Sequence, residues 1–192
     1  MQFLYFRLIQ VGFCVLGISA VLTSQILKCK IYSTVRTSLF KEDPMDNKYM
    51  KSALKEAWKA YEKGETPVGA IVVKDGRIIA RAHNLRETKK DSIAHAEILA
   101  IRKASAKLDA WRLLDCDLYV TLEPCTMCAG AIIQSRIRRV FYGADDPKAG
   151  AAGSVIDIFE KDFNHKVEVY KGIMEEECSE VLKNFFKELR NK

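Results

Sequence analysis

Two short strings hold the residues best suited to chemistry: His95-Ala96-Glu97, and Pro124-Cys125-Thr126-Met127-Cys128 downstream. They supply one imidazole, two thiols and one carboxylate. Structural zinc sites are closed by four protein ligands, whereas catalytic ones keep a position for water. His95, Cys125 and Cys128 form a three-ligand set, and Glu97 remains as a general base. No second cysteine pair completes a four-ligand set, and His83 and His165 lack paired spacing. The expectation is one catalytic Zn2+ per subunit. One neutral imidazole and two thiolates cancel the ion's charge, so a water in the open position ionises near neutral pH.

Regular elements must bring these residues together. Cys125 and Cys128 are three apart near a predicted helix start, where the i, i+3 spacing puts both sulfurs on one face. A helix N-terminus also favours the thiolate that a metal needs. A helix is predicted from about Ile93 to Lys107, with Asp91 or Ser92 as its cap. Glu97 then lies about 200° around that helix from His95, so the site must wrap around its first turn.

The rest of the pattern gives an α/β fold. Met50, Ala53, Leu54, Ala57, Trp58 and Tyr61 make one helical face just after Met45, with Gly64 as a stop. Gly69–Val73 and Arg77–Ala80 flank Lys74-Asp75-Gly76 and read as a hairpin. Leu118–Leu122, Arg139–Gly143 and Val167–Tyr170 are further strands. Cys178, Val181, Leu182, Phe185, Phe186 and Leu189 recur at helical spacing, an aromatic stripe that reads as core in preference to a base-stacking surface. Helices alternating with strands after an opening hairpin imply a three-layer α/β/α sandwich around a mixed five-stranded sheet.

The 192 residues carry a formal charge of +6, of which residues 1–44 hold half. The remainder is only mildly basic, which permits a nucleic-acid partner without demanding one. The cysteine pattern fits an intracellular enzyme better than a small secreted scaffold, and Cys116 and Cys178 read as buried small residues. Residues 45–192 are expected to be the catalytic domain, and residues 1–44 an extension.

Leu8–Leu27 is a run of 20 residues without charge, long enough to span a bilayer. As a signal peptide it is poor, with only Arg7 before the apolar core. As an anchor it would leave the rest of the chain in the cytoplasm, although Gln10, Ser19, Thr23, Ser24 and Gln25 dilute it. The favoured expectation is that translation starts at Met45. Lys41-Glu42-Asp43-Pro44 can be encoded with a purine-rich ribosome-binding sequence just upstream. A cytoplasmic protein with no membrane partner follows, unless Leu8–Leu27 is a genuine anchor.

The pattern H-x-E…P-C-x-x-C is that of zinc-dependent nucleobase deaminases. The fragments TPVGAIVV, RAHNLRE, AHAEILAI, WRLLDCDLYVTLEPCTMCAGAI, SRIRRVFYGADDPKAGAAGS, FNHKVEV and FFKELR resemble the bacterial tRNA-specific adenosine deaminase family over about residues 46–192. That resemblance implies a cytidine-deaminase-like fold, acting as a homodimer. The implied reaction converts adenosine to inosine at the wobble position of a tRNA anticodon stem-loop, usually of an arginine tRNA. It implies zinc on His95, Cys125 and Cys128, with Glu97 moving protons from the activated water to the ring nitrogen and then to the departing ammonia. It also implies that Asn84 hydrogen-bonds the everted base and Val68 walls its pocket. Asp146 and Lys148 would lie near the anticodon backbone. Residues 1–44 are the departure from the family pattern.

Read as residues alone, several of these stay open. Asn84 suits a base edge or a turn cap equally. Arg136, Arg138 and Arg139 could meet phosphates or face solvent. Two other functions also fit the zinc motif. One is a deaminase of free guanine, cytosine or their nucleosides, which would need a pocket closed by the chain's own C-terminal segment. The other is a silent, zinc-stabilised partner subunit, which would have no use for Glu97.

Overall fold

The computed structural model describes residues 44–191. Leu8–Leu27 and the readings of residues 1–43 lie outside them, as do Cys14 and Cys29. No helix among the described residues is long and apolar enough to cross a membrane.

The first helix, α1, spans Pro44–Glu62. It begins earlier than the periodicity indicates, because a proline fits the first turn, where an amide would have no partner. Met50, Ala53, Leu54 and Ala57 are buried, as their spacing requires, but Trp58 is 45% exposed and packs beside Tyr61 instead. Gly64 takes a positive φ, and the amides of Gly64 and Glu65 return to the carbonyls of Tyr61 and Ala60, closing the helix.

Strands β1 (Gly69–Lys74) and β2 (Arg77–His83) form the expected hairpin. Asp75 and Gly76 both have positive φ, as a two-residue turn between twisted strands demands. Helices α2 (Arg86–Lys89) and α3 (Ala96–Leu108) follow, then β3 (Cys116–Leu122), α4 (Thr126–Gln134), β4 (Arg139–Ala144), β5 (Glu168–Tyr170) and α5 (Glu175–Arg190). The one-turn α2 has no signature in the sequence pattern.

The sheet has the order β2-β1-β3-β4-β5. The pairs β1–β2 and β1–β3 are antiparallel, whereas β3–β4 and β4–β5 are parallel. Strand alternation sends Ala70, Val72, Leu118, Val120, Val140 and Tyr142 into one core with Leu99, Ala100, Ile132 and Ile133 of α3 and α4. Ile71, Val73, Tyr119 and Phe141 join α1 and α5 in a second core. This is the three-layer sandwich with a mixed five-stranded sheet. Cys116 and Cys178 are buried in these cores.

The aromatic stripe of α5 divides. Phe185 is buried, while Phe186 and Leu189 are 41% and 56% exposed. The arginines left open by the sequence are occupied. Arg138 and Arg139 both donate to the buried carboxylate of Asp117, over 2.6–3.2 Å. Arg136 donates to the carbonyl of Ile133.

Because β3 and β4 run parallel, both carboxyl ends open at one edge of the sheet, where ligands bind in sheets of this kind. Residues 123–128 leave β3 there, and the 145–154 loop leaves β4.

Candidate metal centre and substrate pocket

Helix α3 starts at Ala96, three residues later than predicted, and His95 is its N-cap residue with extended backbone. Asp91 closes a local turn, its carboxylate accepting the amide of Ile93 at 3.0 Å, and is no helix cap. This shift removes the angular difficulty between His95 and Glu97. The imidazole leaves from outside the helix, and the carboxylate from its first turn.

Helix α4 repeats the device. Cys125 is the N-cap with extended backbone, so only Cys128 of the pair is helical. The His95 side chain makes no bond to its own helix, whereas the Cys125 sulfur bonds to Cys128 in the first turn of α4. Both point toward a place that two positive helix termini share.

The ligand atoms of His95, Cys125 and Cys128 lie within 4.8 Å of one another. Nδ1 of His95 is 3.8 Å from the Cys125 sulfur and 3.6 Å from that of Cys128. Bonds of about 2.0 Å to nitrogen and 2.3 Å to sulfur give a tetrahedral edge of about 3.6 Å. The three residues thus fit a zinc ion.

The electrostatics agree. The Cys125 thiol is pushed down to about 3, chiefly by its hydrogen bond with Cys128 and then by that with His95. Cys128 is pushed up, because it shares that bond and is buried beside Glu97. His95 is held up by its hydrogen bond with Cys125. Two sulfurs this close share one proton unless a cation takes its place, and soft thiolates with an imidazole suit zinc.

Glu97 is buried at the floor, and burial raises its pKa. Above it opens a cavity of about 670 Å³, lined by Val68, Asn84, His95, Glu97 and Cys125. That is ample for a nucleoside. Its outer wall includes Phe186 of α5, together with Arg86, Lys148, Lys183 and Arg190, four exposed cations.

Each further candidate has a definite place. Val68 is buried in the wall. The side chain of Asn84 caps no turn; its Nδ2 donates to Oε2 of Glu65 at 3.3 Å. Asp146 and Lys148 both line the cavity. One oxygen of Asp146 accepts the amides of Lys148 and Ala149 at 3.0 and 3.2 Å, which shapes the loop.

Two buried carboxylates beside the cavity escaped the sequence reading. Glu123 accepts the amides of Asp146, Ala152 and Ser154 over 2.8–3.1 Å, and also the Ser154 hydroxyl. It binds the 145–154 loop to the segment bearing Cys125. Burial alone would raise its pKa, but these bonds, led by Ser154, hold it below the ordinary range. Glu65 is fully buried and is likewise held low by backbone amides, with those of Thr88 and Glu87 outweighing burial. The available signal was an acid beside an apolar strand, since a carboxylate buried there must find donors.

Fold and site together define a deaminase of the cytidine-deaminase-like class. A family model described as MafB19-like deaminase matches residues 45–190. The tRNA-specific adenosine deaminase of Bacillus subtilis (strain 168) is 56% identical over 148 residues, covering 77% of this chain and 92% of that protein. A solved structure from work on A-to-I editing by tRNA:A34 deaminases at the wobble position is 50% identical, with a TM-score of 0.68, and covers 70% of this chain and 98% of its own. A guanine deaminase from Nitrosomonas europaea is 26% identical, with a TM-score of 0.62 and coverage of 74% and 84%. The chain belongs to the tRNA-specific adenosine deaminase family. It is therefore a hydrolytic deaminase.

Proposed function

We propose that the chain converts adenosine to inosine at the wobble position of a tRNA anticodon, with an arginine tRNA as its substrate. The observation that carries this reading is the joining of the His95, Cys125 and Cys128 cluster and buried Glu97 to a nucleoside-sized cavity walled by Phe186 and four cations. An everted base would enter the cavity while phosphates meet Arg86, Lys148, Lys183 or Arg190. An anticodon loop is single stranded, so eversion there costs little.

His95, Cys125 and Cys128 would hold zinc, which when bound supplies Lewis-acid activation of water. Glu97 would take a proton from the attacking water, deliver it to the ring nitrogen, and later carry one to the departing amine. Water and adenosine yield inosine and ammonia, so no external oxidant or reductant is needed. Burial keeps the Glu97 carboxyl apart from bulk water and poised to hold a proton. Val68 packs against the base, Asn84 hydrogen-bonds it, and Asp146 and Lys148 shape the approach of the anticodon backbone.

Residues 45–192 form the deaminase domain in this reading, acting as a cytoplasmic homodimer. The test is conversion of an arginine anticodon stem-loop carrying wobble adenosine, read by reverse transcription, where inosine reads as guanosine. Conversion confined to that base supports the reading. A folded, zinc-loaded protein that leaves it untouched overturns it.

One observation favours a second reading. Ser179, Leu182 and Lys183 of α5 line the cavity, so the C-terminal segment contributes a wall, as a free-base deaminase would require. Ammonia release from free guanine, cytosine or their nucleosides, insensitive to salt, would select that reading over RNA.

A further inference from the structure

We propose that Glu65, which does not line the cavity, is a positioning residue that fixes the polarity of the Asn84 amide toward the substrate base. The choice of substrate for its test rests on the wobble-adenosine reading above.

Glu65 is fully buried, and a buried carboxylate is costly unless its oxygens find donors. Its donors all come from one stretch. Oε1 accepts the amide of Thr88 at 2.6 Å, and Oε2 accepts the amide of Glu87 at 3.1 Å and Nδ2 of Asn84 at 3.3 Å. The carboxylate thus ties the segment that enters β1 to the one that leaves β2. Both segments line the cavity, through Thr66 and Val68 on one side and Asn84 and Arg86 on the other.

An ionised carboxylate can only accept hydrogen bonds. Asn84 must therefore turn its NH2 toward Glu65, which sends Oδ1 the other way. The two ends of an amide have nearly the same shape, so packing alone does not choose between them. Only a partner of one polarity makes that choice, and Glu65 is such a partner. The base then meets a fixed acceptor. A flipped amide would put a donor where the acceptor belongs and leave a bond unmade.

The test is a double-mutant cycle on the full chain with the arginine anticodon stem-loop. Glu65→Gln keeps shape but can offer its own NH2 to Asn84. We expect kcat/KM to fall about tenfold, with zinc content unchanged. In an Asn84→Ala background the same change should cost less than about twofold, because no amide remains to orient. Equal losses in both backgrounds would show a general structural role and overturn the proposal, as would full activity of Glu65→Gln. A wild-type protein that leaves the stem-loop unconverted would instead count against the substrate reading. Should Glu65→Gln fail to fold, the Asn84 side-chain NH2 can be followed by NMR in the wild-type protein, assigned by its loss in Asn84→Ala. Slow solvent exchange of that group is expected, and exchange at the free-amide rate overturns the proposal.

Discussion

His95 and Cys125 occupy equivalent positions, each the N-cap of a helix, and their Nδ1 and Sγ atoms stand 3.8 Å apart across the convergence of the two helix ends. The His95 side chain makes no bond to its own helix, and the Cys125 sulfur bonds to Cys128 in the first turn of its helix. Local helix-end geometry, more than side-chain length, aims them at a common point, with Glu97 in the first turn of α3.

The proposed function makes Glu97 a proton carrier and no ligand. Glu97→Gln should keep its zinc and its fold while turnover falls by about 10²–10⁴. Metal analysis alongside the stem-loop assay checks both halves. Loss of zinc from the variant would make Glu97 part of the metal shell instead.

Removing the metal should act on stability as well as on activity. A chelator is expected to abolish conversion and lower Tm, with both restored by added zinc. Cys128→Ser should resist that restoration, since a hydroxyl is a poor substitute for a thiolate ligand. A thermal melt unmoved by chelation would argue against metal at this centre.

Acidification should loosen the cavity through Glu123. Its folded pKa lies below the ordinary value. The stability it contributes is therefore fully present above the unfolded pKa of about 4.3, and is lost as pH falls through the lower folded value. Urea titrations at a series of pH values should show wild type losing stability over that window, and Glu123→Gln losing less of it. Parallel profiles would place the acid sensitivity elsewhere.

The cations should separate by function. Lys148 is exposed at the cavity, so Lys148→Ala should weaken stem-loop binding and lower the salt slope by about one. Arg139 is engaged by Asp117, so Arg139→Ala should destabilise the fold and leave that slope unchanged. Binding measured across salt concentrations for both variants distinguishes a phosphate contact from a structural one.

Much of the fold was legible because the patterns that build it are local. Short apolar runs gave β1, β3 and β4, Asp75-Gly76 gave the hairpin, and apolar spacing placed α1 and α5. The residues of the metal cluster were legible from type and spacing. What escaped depended on distant partners. The start of α3 slipped because Asp91 looks like a cap by type, yet its amide partner lies in a turn before the helix. The two phenylalanines of α5 looked alike by period, but only tertiary packing decides that Phe185 is covered and Phe186 borders the cavity. Glu65 and Glu123 were invisible because their donors stand about twenty or more residues away in sequence, over distances no local pattern reports.

Glu123 also makes three separate amides answer to one acceptor. Asp146 lies near one end of the loop and Ala152 and Ser154 near the other, but all three end on the same carboxylate. Hydrogen exchange at these amides should therefore report one shared opening event with a common protection factor, instead of a gradient along the loop. In kinetic terms the loop is expected to open as a single latch beside the segment carrying Cys125, which the Cys125–Gly150 bridge and the Ala151 amide on the Pro124 carbonyl also hold.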